Sequence, residues 1–280
     1  MGHAIPTASR RGRSFLLGIL LLATAACGSD GGSATPPSTT TATPTELRVL
    51  VTNDDGVRAP GIAALVQALE DLPNTAVTVV APDGNRSGSG SRTTPGGVTA
   101  SPATTANGFS ATAVVGFPAD AVDYALDDTE RAQWPNLVIS GINEGQNLGV
   151  VIDVSGTVGA ARTAAARGIP ALAVSQGLGA VPDYPSGVRA VLAWLAENRS
   201  ALTGRPPSDG PAPVVNLNIP TCPFGSPQPV VVVPPDRTAN GIGPVDCASS
   251  ATTLRTDVEA FVNGHITRTD DLVKDVPAAP

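Results

Sequence analysis

Along this chain, apolar runs of strand length alternate with stretches whose apolar residues recur every three or four positions. "LRVLVT" (Leu47–Thr52) is nearly continuous in large apolar side chains, the pattern of a strand buried on both faces. "GIAALVQALEDL" predicts a helix over Gly61–Leu72, and "AVTVVAP" a strand over Ala76–Pro82. A Gly/Ser loop follows, then a weaker strand over Ser110–Val115 and a short helix in "PADAVDYAL". "NLVISG" (Asn136–Gly141) is a third core strand, and "SGTVGAARTAAARG" (Ser155–Gly168) a helix with a Ser/Thr start and a Gly stop. "IPALAVSQ" and "PVVNLNIP" (Pro213–Pro220) read as strands flanking a helix over Ser186–Arg199. The Pro-rich remainder carries a strand in "PVVVVPP", then a helical turn and a strand in "TDVEAFVNGHITRTDD". This βαβ alternation, without internal repeats, predicts an α/β fold: a mostly parallel sheet with helices on both faces.

The first 46 residues follow different rules. Arg10, Arg11 and Arg13 precede the apolar run "SFLLGILLLATAA" and then Cys27, so residues 1–26 read as a secretory signal. The run is shorter than the roughly 20 apolar residues a membrane-spanning helix needs. "TAACGSD" resembles a bacterial lipoprotein signal, which makes Cys27 the lipidated first residue of the mature chain. The alternative is a simple secretory peptide with an incidental Cys. Residues 27–46, rich in Ser, Thr, Pro and Gly, bury too little to offset ordering entropy and read as a tether. Residues 47–280 form the folded domain. The expected location is the outer face of the cell membrane, reached by export, with membrane contact only through a lipid.

Charge and rare residues narrow the chemistry. Net charge is −7, and three units more negative without Arg10, Arg11 and Arg13. No basic cluster marks a surface for a nucleic acid polymer. An acidic protein that handles phosphate must borrow positive charge, and a metal ion is the obvious source. Of three cysteines, Cys27 is committed, and in an exported protein Cys222 and Cys247 most simply pair; the alternative is two buried thiols. Of the two histidines, His3 lies in the signal. Sites built on several His are therefore excluded, and any Ser–His–Asp triad must use His265, better read as a surface or subunit-contact residue.

Polar clusters follow three successive core strands: "NDDG", "DGNRSGSG" and "SGINEGQN". Beyond the carboxyl ends of parallel strands, such loops converge on a ligand crevice. Asp54 and Asp55 face opposite ways in a straight strand and can share an ion only if the chain is already turning, which Gly56 permits. Oxygen ligands suit Mg²⁺ or Mn²⁺, which would relieve the repulsion between the carboxylates. An ordinary turn with one Asp as a cap explains the same residues. Ser155 is equally two-sided, as the N-cap of its helix or, with Thr157, as part of a phosphate site at the helix start.

Taken in order, "VLVTNDDGVRAPGIAAL", "VVAPDGNRSGSGS", "VISGINEGQNLG" and "SGTVGAAR" resemble the SurE family of survival-protein nucleotidases, with weaker similarity in "NLNIP" and "TDVEAFVNGHIT". The resemblance implies a Rossmann-like core with a C-terminal β-rich extension and a homo-oligomer, dimer or tetramer. It implies a metal-dependent phosphatase acting on nucleoside 5′- and 3′-monophosphates or related small phosphate esters. It places one divalent cation per subunit on Asp54, Asp55, Ser87 and Asn143, with Asp54 and Asp55 as the catalytic pair. Asn53, Asn147, Ser155 and Thr157 match positions that line the phosphate pocket. Departures are "VVIDV", which keeps only Asp153 of the usual acids there, and Thr163, where a Glu commonly stands. With Phe117, Tyr124 and Trp134 among few aromatics, loose base selectivity is expected. The competing reading is a tethered protein that captures nucleotides or phosphate without turnover.

Overall fold

The computed structural model describes residues 46–272 apart from Asp128; the signal, Cys27 and the tether up to residue 45 lie outside the described residues. In chain order the elements are β1 (Leu47–Thr52), α1 (Pro60–Glu70), β2 (Thr75–Pro82), β3 (Ala100–Thr104), β4 (Ser110–Val114) and α2 (Pro118–Asp127). Then follow β5 (Leu137–Glu144), α3 (Gly156–Ala166), β6 (Ala171–Gln176), α4 (Tyr184–Leu202), β7 (Val214–Ile219), β8 (Gln228–Val232), α5 (Asp257–Val262) and β9 (His265–Asp270). Among the described residues no helix is long and apolar enough to cross a membrane.

All nine strands join one sheet in the order β3-β4-β2-β1-β5-β6-β7-β9-β8. The six from β4 to β7 run parallel, while β3 and β9 pair antiparallel at either side. β8 lies parallel to β9, so the C-terminal strands extend the same sheet. Alternating side chains of β1 feed two cores. Leu47, Val49 and Val51 pack with Ile62, Leu65 and Leu69 of α1 and Val191 and Leu195 of α4. Leu50 packs on the other face with Val122 of α2 and Val158, Ala161 and Ala165 of α3. Each such fully buried Leu or Ile contributes about 2 kcal/mol. The alanines of α3 let that helix lie close to the sheet.

The order contains a switch point. From β1 the chain winds one way to β2 and β4, and from β5 the other way to β6 and β7. The loops after β1 and β5 therefore separate above adjacent strands, opening the crevice that this architecture uses for ligands.

Two expectations shift, and one segment without an expectation takes a defined form. β5 continues to Glu144 instead of ending at Gly141, because a register irregularity between Ser140 and Asn143 keeps it paired with β6 as far as Gln176. β3 was not expected, since "ASPAT" has only a weak strand signature. "GVVIDV" forms a 3-10 turn that leads into α3. Cys222 and Cys247 form a disulfide with Cα atoms 5.8 Å apart. Closing that loop constrains the unfolded chain by about 3 kcal/mol.

Candidate functional site at the switch point

Gly56, at φ +106°, turns the chain away from the sheet directly after the two aspartates. Asn53 closes this turn: its Nδ2 donates to the Gly56 carbonyl (2.9 Å) and its Oδ1 accepts the Gly56 amide (3.1 Å). Both ends of its side chain are thus used within the loop. Asn53 shapes the turn, and these two bonds, rather than a ligand, account for the placement of its side chain.

The turn sends the two carboxylates to different partners. Asp54 is 3 % exposed and reaches the start of α3, where Thr157 Oγ1 donates to its Oδ1 at 2.7 Å. Asp55 is half-buried; its Oδ2 accepts the Glu144 amide at 3.0 Å and its Oδ1 the Asn85 side chain at 3.3 Å. The loop after β2 is fastened to the same point, because the Arg86 amide donates to the Asp54 carbonyl at 2.6 Å. Ser87 follows directly, exposed, with its amide on Asn85 Oδ1 (3.0 Å) and no side-chain hydrogen bond among the described residues. Asn143 is buried and donates from Nδ2 to the Gly145 carbonyl at 2.5 Å, which leaves Oδ1 for another partner.

Asn147 and Thr157 extend the network inward. Asn147 Nδ2 donates to Ser175 Oγ at 2.8 Å and to Thr157 Oγ1 at 3.3 Å. Its backbone is clamped from β7: its amide donates to Asn218 Oδ1 (2.7 Å), and its carbonyl accepts from Asn216 (2.8 Å) and Asn218 (3.2 Å). Ser155 is the N-cap of α3, accepting the Val158 amide at 3.1 Å. Gly156 is needed beside it: a Cβ there would sit 2.6 Å from Ser89 Oγ and 2.8 Å from Asp54 Cβ.

Among the described residues no ion pair involves Asp54 or Asp55. Burial pushes the Asp54 carboxyl above the ordinary carboxylate range despite the Thr157 hydrogen bond. Burial, with the charges of Asp54 and Glu144, raises Asp55 to about 6, although the Glu144 amide opposes the shift. No cluster of three or more His, Cys, Asp or Glu able to hold a metal occurs among the described residues. The donor set at this site is of another kind, two carboxylates with an amide and a hydroxyl, all hard oxygens. Paired, partly desolvated carboxylates without a counter-ion fit a divalent cation.

Beside Asp55 opens a cavity of about 340 Å³ lined by Arg58, Asp83, Asn85, Glu144 and Tyr184. Tyr184 Oη donates to Glu144 Oε2 at 3.4 Å, and burial followed by the nearby Glu144 and Asp55 charges raises the pKa of its phenol. Tyr184 is the aromatic residue that lines this cavity. Trp134 is not: it precedes β5 at the opposite end of the sheet, with Nε1 bonded to the Leu126 and Thr129 carbonyls. His265 begins β9, bonded to the Pro229 carbonyl, with β5, β6 and β7 between its strand and β1. Both departures are satisfied locally. Asp153 pairs with buried Arg162 at 3.0 Å, and Thr163 Oγ1 donates to the Gly159 carbonyl at 3.0 Å.

Sequence reasoning missed Ser89, Asn85 and the β7 clamp. The clamp had a signal, since Asn216 and Asn218 stand two apart in an apolar strand and must share a buried face.

The family model described as "Survival protein SurE" matches residues 49–240. The chain belongs to the SurE family. A 5′-nucleotidase SurE of Geobacter sulfurreducens is 43% identical over 178 residues, 63% of this chain and 63% of that relative. The matched stretch therefore spans less than two thirds of that SurE protein. A 5′-nucleotidase SurE of Solidesulfovibrio magneticus is 39% identical over 193 residues, 68% of this chain and 72% of the relative. The crystal structure of the SurE protein from Aquifex aeolicus superimposes with a TM-score of 0.63 at 28% identity, covering 82% of this chain and 94% of that one.

Proposed function

We propose that this SurE-family chain is a metal-dependent phosphatase that hydrolyses nucleoside 5′-monophosphates, and 3′-monophosphates, to nucleoside and phosphate. The observation that carries the reading is Asp54, a buried carboxylate with no cationic partner among the described residues, fixed by Thr157 at the N-terminus of α3. The relatives' designation as 5′-nucleotidases supports the substrate class.

Asp54, Asp55, Ser87 and Asn143 would hold one Mg²⁺ or Mn²⁺ per subunit. When bound, the ion supplies positive charge for the negative charge that develops on the phosphoryl oxygens. The chain's own residues do the rest. Thr157 and Asn147 fix Asp54, the Glu144 amide fixes Asp55, and the α3 N-terminus with Ser155 and Thr157 orients the phosphate. Asp54 is locked by its partner, whereas Asp55 Oδ1 holds only a long bond to Asn85 and borders the cavity. Asp55 Oδ1 therefore takes the proton of the attacking water. The new bond forms from water oxygen to phosphorus, and the ester P–O bond breaks with its electron pair on the leaving oxygen, which solvent protonates.

We infer further that the chain is exported, anchored through a lipid on Cys27, and assembled as a homo-oligomer. The basic and apolar leader supports the first point, as does a disulfide suited to an oxidising compartment. Exposed Val230 and Val232 on the edge strand β8, at 49% and 60%, support the last. The deciding experiment measures phosphate release from a panel of nucleoside monophosphates. Release that EDTA abolishes and Mg²⁺ or Mn²⁺ restores is expected. Binding without release from any of them would leave a non-catalytic nucleotide-binding protein.

A further inference from the structure

We propose that Ser89 is a phosphate-binding residue of this chain, donating its hydroxyl proton to a non-bridging oxygen of the phosphoryl group at the start of α3. The inference rests on the phosphatase reading above and adds a contact to it.

Ser89 is 5 % exposed, and its Oγ is sealed from solvent without any hydrogen-bond partner among the described residues. Buried hydroxyls are almost always paired, so an orphan at a candidate site indicates a missing partner. Its position says what kind. A Cβ placed on Gly156 would lie 2.6 Å from Ser89 Oγ and 2.9 Å from Asp54 Oδ2, so the hydroxyl, the carboxylate and the first residue of α3 meet at one point.

Nor is Ser89 carried by a slack loop. The Gly90 amide donates to the Val154 carbonyl at 3.0 Å, the Arg92 amide to the Ser89 carbonyl at 3.2 Å, and the Gly90 carbonyl packs against Gly159 of α3. The loop is pinned to the helix it serves. The Gly156 amide has no hydrogen-bond partner among the described residues, because the Ser155 cap satisfies Val158 instead, while the Thr157 amide serves the Asp54 carboxylate. A free amide at the positive end of an eleven-residue helix, joined by a buried donor hydroxyl, fits an acceptor-rich anion such as phosphate.

The test compares wild type with Ser89→Ala in Mg²⁺ buffer, using inorganic phosphate as the probe. Phosphate should raise the Tm of wild type, and in the variant its apparent Kd should weaken about tenfold. KM for a nucleoside monophosphate should rise by a similar factor, while the ligand-free Tm stays level or climbs because no protein partner is lost. A ligand-free Tm that falls with phosphate affinity unchanged would make Ser89 a structural residue and overturn the proposal. An unchanged Kd and KM would overturn it as well. Absence of turnover in wild type would sink the phosphatase reading instead, while the phosphate-dependent Tm shift still decides the role of Ser89.

Discussion

Thr157 Oγ1 donates to Asp54 Oδ1 at 2.7 Å across 103 residues of chain, joining the first turn of α3 to the loop after β1. Replacing Thr157 with Val keeps the shape and deletes the donor. The buried carboxylate and Asn147 both lose a partner, so stability should fall by about 1–3 kcal/mol. Phosphatase activity should fall about 10–100-fold, as expected when the support of a ligand is removed. Thr157→Ser should recover most of both. Denaturant titration and steady-state kinetics on the pair check this, and a fully active Val variant would show the bond to be incidental.

Asp54→Asn should lower phosphate release on the order of 10²-fold or more. The same change removes a buried, uncompensated charge, so the metal-free variant should melt no lower than wild type. A variant that turns over normally would take Asp54 out of the mechanism.

The raised pKa of Asp55 fixes a pH signature. Its folded value, about 6, lies above the ordinary 3.8, so between these limits the folded protein binds more protons than the unfolded chain. The stabilising contribution is complete at low pH and is lost as pH rises through about 6. Compared with Asp55→Asn, metal-free wild type should therefore lose Tm progressively from pH 4 to pH 7. Saturating Mg²⁺ should abolish or reverse the difference, since the ion favours the ionised carboxylate. Thermal melts in EDTA and in Mg²⁺ measure it, and parallel curves for the two proteins would contradict the assignment.

Reducing the Cys222–Cys247 disulfide should cost about 3 kcal/mol in denaturant titrations. Phosphate release under native conditions should change little, because the bridge follows β7 while the carboxylates follow β1.

Much of this was visible in the amino-acid pattern, for a physical reason. Strands buried on both faces need long apolar runs, so β1, β2, β5, β6 and β7 stand out, and polar residues at their carboxyl ends mark the crevice. What stayed hidden depends on where a side chain points. Asn53 was assigned to the phosphate pocket only through the family resemblance, and its side chain turns instead to the backbone of Gly56, three residues away. Ser89 and Ser87 look alike in "NRSGSGS", and only the approach of α3 separates a buried hydroxyl from an exposed one. Trp134 is an aromatic at the wrong end of its strand.

The two strands that divide the winding directions stand at the centre of a nine-stranded sheet, yet the loop after β5 is tied to the C-terminal segment, where Gly149 donates to Asp257 and Gln146 to the Gly241 carbonyl. Through those bonds and the β7 asparagines that clamp Asn147, a change at the β8–β9 border has a physical route to the network around Asp54. The margin of the sheet and its hub thus form one mechanical unit, in which a neighbour seated on β8 would be felt two strands further in.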